Sequence, residues 1–320
     1  MEMKSSDSRW RKTLRSGESI IYFVFLLLFI LFSIIQGRDF LSFFNIMNIL
    51  RQTAMISIMA VGMTFALSAG EIDLSVGSVI ALSALITAMV LKHTNIVFGI
   101  LAGFGVGLAV GMFNGSIVAW VRVPSFLVTL SSMSVIGGLS RWITQLRSIE
   151  ILNDYYAYAF GSGDIGPVPV LFLWTLVVAI AGYLTLNRTA FGRRILSSGG
   201  NEKAAFYTGI DTRVIKMKAL ILSASTAALA GMLYAGRLHG ARYNIGEGFE
   251  LSVIAATVLG GTSLFGGSGT IIGSIIGALV IGIINNGLIL MGLDISQQMF
   301  FRGIILILAI SLNTRLQLRQ

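Results

Sequence analysis

The chain has 320 residues, 55% hydrophobic and only 12% charged, whereas a soluble domain carries roughly 25% charged residues. That excludes a pair of soluble domains and makes lipid the solvent. With no cysteine, disulfides and thiolate-bound metal are excluded, and the two histidines, His93 and His239, fall in separate loops, so no metal site, cofactor or catalytic cluster is expected.

A membrane span needs about 20 mostly apolar residues. The first uncharged stretch is 19–36, preceded by Lys4, Arg9, Arg11, Lys12 and Arg15. No small-residue cleavage site follows, so it reads as an uncleaved first helix. Further spans are predicted over 52–70, 74–91, 95–121, 123–140, 165–187 and 219–236. The uncharged run 251–293 is too long for one span and is interrupted by the glycine-rich segment 260–269, which makes it two. A last helix over 297–313 brings the total to about ten. The expected fold is an all-α membrane protein with broken or re-entrant segments. It has a tail over 1–18, a single membrane domain over 19–313 and a second tail over 314–320.

With the N-terminus inside, the N-terminal tail, Arg122, the loop 188–218 and the C-terminal tail lie on the cytoplasmic side. They hold most of the 23 lysines and arginines, as the positive-inside rule requires. This distribution accounts for the net charge of +9 without nucleic acid as a partner.

The span 95–121 carries Gly99, Gly103, Gly107, Gly111 and Gly115, a ridge without side chains that lets another helix approach closely. Gly273 and Gly277 repeat the device. Between two spans, residues 70–78 read Gly-Glu-Ile-Asp-Leu-Ser-Val-Gly-Ser, placing Glu71 and Asp73 beside Ser75 and Ser78. A carboxylate at the bilayer centre costs about 2.5–3.5 kcal/mol on insertion scales. The segment is therefore either a solvated tip on the inner face or a broken helix lining a polar pathway. The tetrapeptide at 73–76 is echoed at 250–253; four residues leave open whether this is chance or an inverted repeat. Arg302, inside the last span, either snorkels to the surface or faces the pathway. Asn285 and Asn286 cannot both face one way, so at least one bridges to another helix or faces the pathway. In the 188–218 loop Asn201 is an N-cap, 202–208 makes two helical turns and Gly209 suits the C′ position. Phe206 and Tyr207 are candidate anchors for a soluble partner.

Residues 62–83 (GMTFALSAGEIDLSVGSVIALS), 123–130 (VPSFLVTL), 197–210 (SSGGNEKAAFYTGI) and 258–278 (VLGGTSLFGGSGTIIGSIIGA) together resemble the permease subunits of ribose-type monosaccharide ABC transporters, in order and over nearly the whole chain. The family often has glycine where this chain has Glu71. The resemblance implies a bacterial inner-membrane permease with both termini cytoplasmic. It would pair with a second copy or a paralogue and work with a separate ATPase subunit and a periplasmic sugar-binding protein. The pathway would involve Glu71, Asp73, Ser75, Ser78, Asn285, Asn286 and Arg302. The loop 188–218 would receive the ATPase stroke through Gly200, Asn201, Ala204, Ala205, Phe206 and Gly209. The chain itself has no phosphate-binding loop, since GGTSLFGGSGT lacks the required lysine, so ATP hydrolysis is expected on another polypeptide. A branched-chain amino acid permease is the nearer alternative, and a proton-coupled transporter, which would want several intramembrane carboxylates, the more distant one.

Overall fold

The computed structural model describes residues 18–301, 303–305 and 307. Among the described residues before 295, eleven helices have six residues or more: α1 (Glu18–Gln36), α2 (Phe43–Ser68), α3 (Val76–His93), α4 (Ile96–Ser116, extended by a π-helical turn to Val121), α5 (Ser125–Thr144), α6 (Val170–Arg188), α7 (Ala190–Gly200), α8 (Glu202–Tyr207), α9 (Thr212–Leu238), α10 (Phe249–Leu259) and α11 (Ile271–Leu290). Among the described residues seven helices are long and apolar enough to cross a membrane: α2 to α6, α9 and α11. Two shorter apolar helices, Ile21–Gln36 within α1 and Phe249–Leu259, add to them. The expected last span begins as helix at 295, and Arg302, 306 and 308–313 lie outside the described residues. So do nearly all of the N-terminal tail and the whole C-terminal tail.

An inner and an outer ring follow from burial. The apolar window of α2 is 83% buried, those of α9 and α11 72% and that of α3 61%, against 22–28% for α4, α5 and α6. α9 is the hub and packs on α2, α3 and α4. It is built for close approach, burying Ala219, Ser223, Ala224, Ala227, Ala228, Gly231 and Ala235. The glycine ridge of α4 lies directly on it. A methyl group on Gly107 would stand 2.7 Å from the Ala224 carbonyl oxygen, one on Gly111 2.6 Å from Ile221 Cα, and one on Gly115 2.9 Å from Met217 Cα. Gly273 and Gly277 of α11 meet the backbone of Gly260 and Ala256 in the same way. Six helix starts are closed by side-chain caps: Ser42, Asn95, Thr189, Asn201, Asp211 and Thr270 each accept a backbone N–H of the first turn.

The connections sort to two ends. At the basic end lie 70–75, 122–124, 189–211 and 260–270. At the opposite end two short antiparallel pairs tie the longer loops together: β1 (Ile149–Glu150) with β4 (Gly240–Ala241), and β2 (Asp164–Ile165) with β3 (Val168–Pro169). Three span boundaries shift for physical reasons. α2 begins nine residues before the uncharged stretch because Arg51 is held by an ion pair with Asp164. α6 begins at Val170 because 164–169 forms the β2–β3 hairpin. α9 begins at Thr212, so the loop predicted over 188–218 is shorter, and its Lys216 belongs to a helix.

Candidate coupling and translocation site

The break after α2 starts as the sequence dictates. Gly70 takes φ +81°, and its N–H and that of Glu71 return to the carbonyls of Leu67 and Ala66 at 2.8 and 2.9 Å, closing the helix. Residues 71–75 then run irregularly against the start of α5. Ser125 Oγ accepts the Ile72 N–H at 3.0 Å and Thr129 Oγ1 the Leu74 N–H at 3.1 Å. Hydroxyls of a neighbouring helix thus satisfy a backbone that lipid would leave bare.

Asp73 has no exposed surface. Its Oδ1 accepts from the Ser75 N–H at 3.0 Å and the Ser75 hydroxyl at 2.6 Å. Asn114 of α4 donates to Ser75 Oγ at 3.1 Å, and Ser132 of α5 donates to Asn114 Oδ1. Asp73 Oδ2 makes no hydrogen bond and faces Ser223 of α9, whose hydroxyl makes none either. Around Asp73 the break forms a closed polar knot among α3, α4, α5 and α9, while Gly70 is exposed and Glu71 lines a cleft at the basic end. Ser78, half-buried one turn into α3, donates to the Ser75 carbonyl at 2.9 Å.

Glu71, 5% exposed, takes a different partner. Lys216 Nζ of α9 lies 3.0 Å from Glu71 Oε1 and 2.9 Å from Glu202 Oε2 of α8, and Thr212 donates to Glu202 Oε1 at 3.3 Å. Partial burial alone would raise the Glu202 carboxyl, but the hydrogen bond and charge of Lys216 hold it below the ordinary glutamate value. One ammonium thus joins the helix break to the loop helix.

That loop helix has the predicted form. Asn201 caps the Ala204 N–H at 3.0 Å. Gly209, at φ +86°, returns its N–H to Phe206, and Ile210 reaches back to Ala205. Ala205 is buried; Ala204, Phe206 and Tyr207 face outward. The preceding α7 was not read from the sequence. Its last turn, Gly199 and Gly200, lies against Gly266 and Gly267 of the glycine-rich loop, whose Gly267 N–H donates to Ser68 O at 3.1 Å. The three motifs singled out in the sequence (the break, the capped loop and the glycine-rich segment) therefore meet at one end. A cleft of about 630 Å³ opens there, lined by Glu71, Arg122, Glu202, Phe206, Tyr207 and Lys216 among others.

Asn286 is a bridge: its amide and that of Asn45 in α2 exchange hydrogen bonds at 2.8 and 3.0 Å. Asn285 is half-buried on another side of α11. Neither lies in the knot around Asp73. Sequence reasoning missed Asn114, Ser125, Thr129, Ser132 and Lys216; the usable signal was polarity inside or at the mouth of spans, Asn114 being the lone amide of a glycine-rich helix.

Residues 45–310 match the family described as branched-chain amino acid transport system / permease component. The chain belongs to that family. It is 40% identical over 295 residues to the ribose import permease protein of Bacillus subtilis, covering 91% of this chain and 92% of the relative. It is also similar to the D-allose transport system permease protein of Escherichia coli, 34% identical over 295 residues (91% and 90%). The L-arabinose ABC transporter permease protein of Azospirillum brasilense is 35% identical over 304 residues (94% and 88%). No solved structure matches the chain. Membership fixes the class of the molecule as a multi-pass permease and not an enzyme.

Proposed function

We propose that this chain is the membrane-spanning subunit of an ATP-driven importer for a monosaccharide, seated in a bacterial inner membrane with both termini cytoplasmic. Three relatives named for ribose, allose and arabinose, each aligned over most of its length, support sugar over branched-chain amino acid as the cargo. A separate ATPase subunit docks on α8, a periplasmic sugar-binding protein delivers the substrate at the opposite end, and a second permease copy or a paralogue completes the path. The carrying observation is α8 itself, a short capped helix that presents Phe206 and Tyr207 outward and is tied through Lys216 to the helix break. A stroke on this helix has a rigid route to Glu71, Asp73 and Ser75. The pathway runs along the break past Ser78 and Asn285, with Asn286 bracing α11 on α2 and Arg302 in the last span; Asp73 becomes reachable when the knot opens.

Reconstitution tests this. In proteoliposomes the chain alone neither hydrolyses ATP nor accumulates D-ribose, and adding the cognate ATPase and binding protein produces both activities. Accumulation by the chain alone under a proton gradient overturns the reading in favour of a secondary transporter. ATP-driven uptake of leucine but of no sugar favours the amino acid alternative.

A further inference from the structure

α10 has 11 residues, about 16 Å at 1.5 Å per residue, roughly half of a hydrocarbon core of about 30 Å. Its last residue, Leu259, leads directly into the glycine-rich loop at the basic end, so its first turn lies near the middle of the bilayer. The chain reaches that depth from the opposite end: after β4 the segment 242–248 folds back until Gly246 meets Gly77 and Ile80 of α3. Glu250, in the first turn of α10, sets its carboxylate against Gly77. A cleft of about 290 Å³ opens here between α3, α5 and the re-entrant segment, lined by Ser78, Ser134, Arg141, Tyr243, Glu247 and Glu250.

This cleft cannot face lipid. Glu250 is half-buried, and among the described residues it has no ion pair, while Ser134 beside it is exposed on the outer face of α5. The partners of Glu250 are the backbone N–H groups of Gly248 and Glu250 at the start of its own helix, and a carboxylate with no counter-ion at that depth is better served by water or a polar ligand than by lipid. Arg141 is already engaged, 2.6 Å from Glu247 Oε1 and 5.5 Å over the Tyr243 ring. The lining therefore keeps one unbalanced negative charge, two serine hydroxyls and one aromatic ring. That set suits a neutral polyol, whose hydroxyls donate to the carboxylate and whose ring carbons pack on the tyrosine; it repels the carboxylate of an amino acid.

We propose that this cleft is a transit site for the monosaccharide, with Glu250 its principal acceptor. The inference rests on the sugar-importer reading above and adds the place and the residue. The test uses the full transporter in proteoliposomes, with radiolabelled D-ribose uptake and ATP hydrolysis measured together. Glu250→Gln keeps the shape, and Ser134→Trp fills the cleft from another helix; each is expected to lower the sugar moved per ATP hydrolysed at least tenfold. In parallel, Ser78→Cys, in a chain with no other cysteine, is expected to react with a water-soluble maleimide in one nucleotide state, with D-ribose slowing the reaction. Unchanged sugar per ATP in both cleft variants overturns the proposal. So does a cysteine at 78 that stays unlabelled in every state, which means a second copy seals this face. If the wild-type transporter moves no sugar at all, the importer reading itself fails, an outcome distinct from either of these.

Discussion

Lys216→Ala removes the one ammonium that serves two carboxylates. Glu71, with a side chain 7% exposed at the wall of the cleft, is left without its cation. Stripping one partner from a buried pair costs about 3–5 kcal/mol, and the 19% exposure of the Lys216 side chain places this case near the lower figure. The Glu202 arm, on a side chain 52% exposed, adds at most about 1 kcal/mol. A total of about 3–4 kcal/mol corresponds to more than a hundredfold shift in the local closing equilibrium, since about 1.4 kcal/mol is a factor of ten. The double variant Glu71→Gln/Lys216→Met removes both charges together and is expected to recover most of the loss, because a buried pair is often no better than neutral residues of similar size. Reversible thermal unfolding in detergent gives the stability of Glu71→Gln, Lys216→Met and the double variant, and ATP hydrolysed per sugar moved gives the coupling. If the single losses simply add in the double variant, the residues are independent and Lys216 is no link between α8 and the break.

Gly111→Ala is expected to cost about 1–3 kcal/mol through overpacking on Ile221, while Gly105→Ala on the open side of the same helix is neutral; detergent melting curves compare them. Asp73→Ala strips the acceptor from two Ser75 donors, about 1–3 kcal/mol for the orphaned buried N–H, and is expected to lower sugar uptake more than membrane expression, with Ser75→Ala milder in transport assays. Ala205→Glu forces a charge into a buried position, and Gly209→Pro demands a negative φ where +86° is needed; both abolish coupled uptake in inserted protein. The Glu202 carboxyl sits below its ordinary value in the folded protein, so its contribution is present above the ordinary glutamate range, about pH 4.3, and is lost as pH falls through the lowered folded value; faster amide hydrogen exchange over 202–209 at acid pH checks it.

The sequence was most legible where structure is local. Asn201 and Gly209 mark α8 because a cap and a left-handed residue act within one turn. The α4 glycine ridge declares a close-packed face by spacing alone, though not that α9 covers it. What stayed hidden depends on partners far along the chain. Lys216 stands 145 residues from Glu71, a separation the two numbers give at once but whose closure only the packed bundle reveals. α7 escaped notice because Gly192, Gly199 and Gly200 depress its propensity; Thr189 at its start and the burial of Ile195 hold it. The echo of 73–76 at 250–253 takes different places at the two helix starts: Asp73 precedes the Ser75 cap, whereas Glu250 lies inside the first turn after Gly248. Arg302 lies outside the described residues, so its two readings stand as they began.

The seam between Gly199–Gly200 and Gly266–Gly267 is made of main chain on main chain. Such a joint has no rotamers to reset and no knobs to lift from holes, so small sliding between α7 and the glycine loop meets a flat steric profile. It has the geometry of a bearing between the loop that carries α8 and the helix pair α10–α11. Its tolerance is one-sided: tilt and translation are cheap, but a single added Cβ at Gly266, 2.6 Å from the Gly199 carbonyl oxygen, jams it.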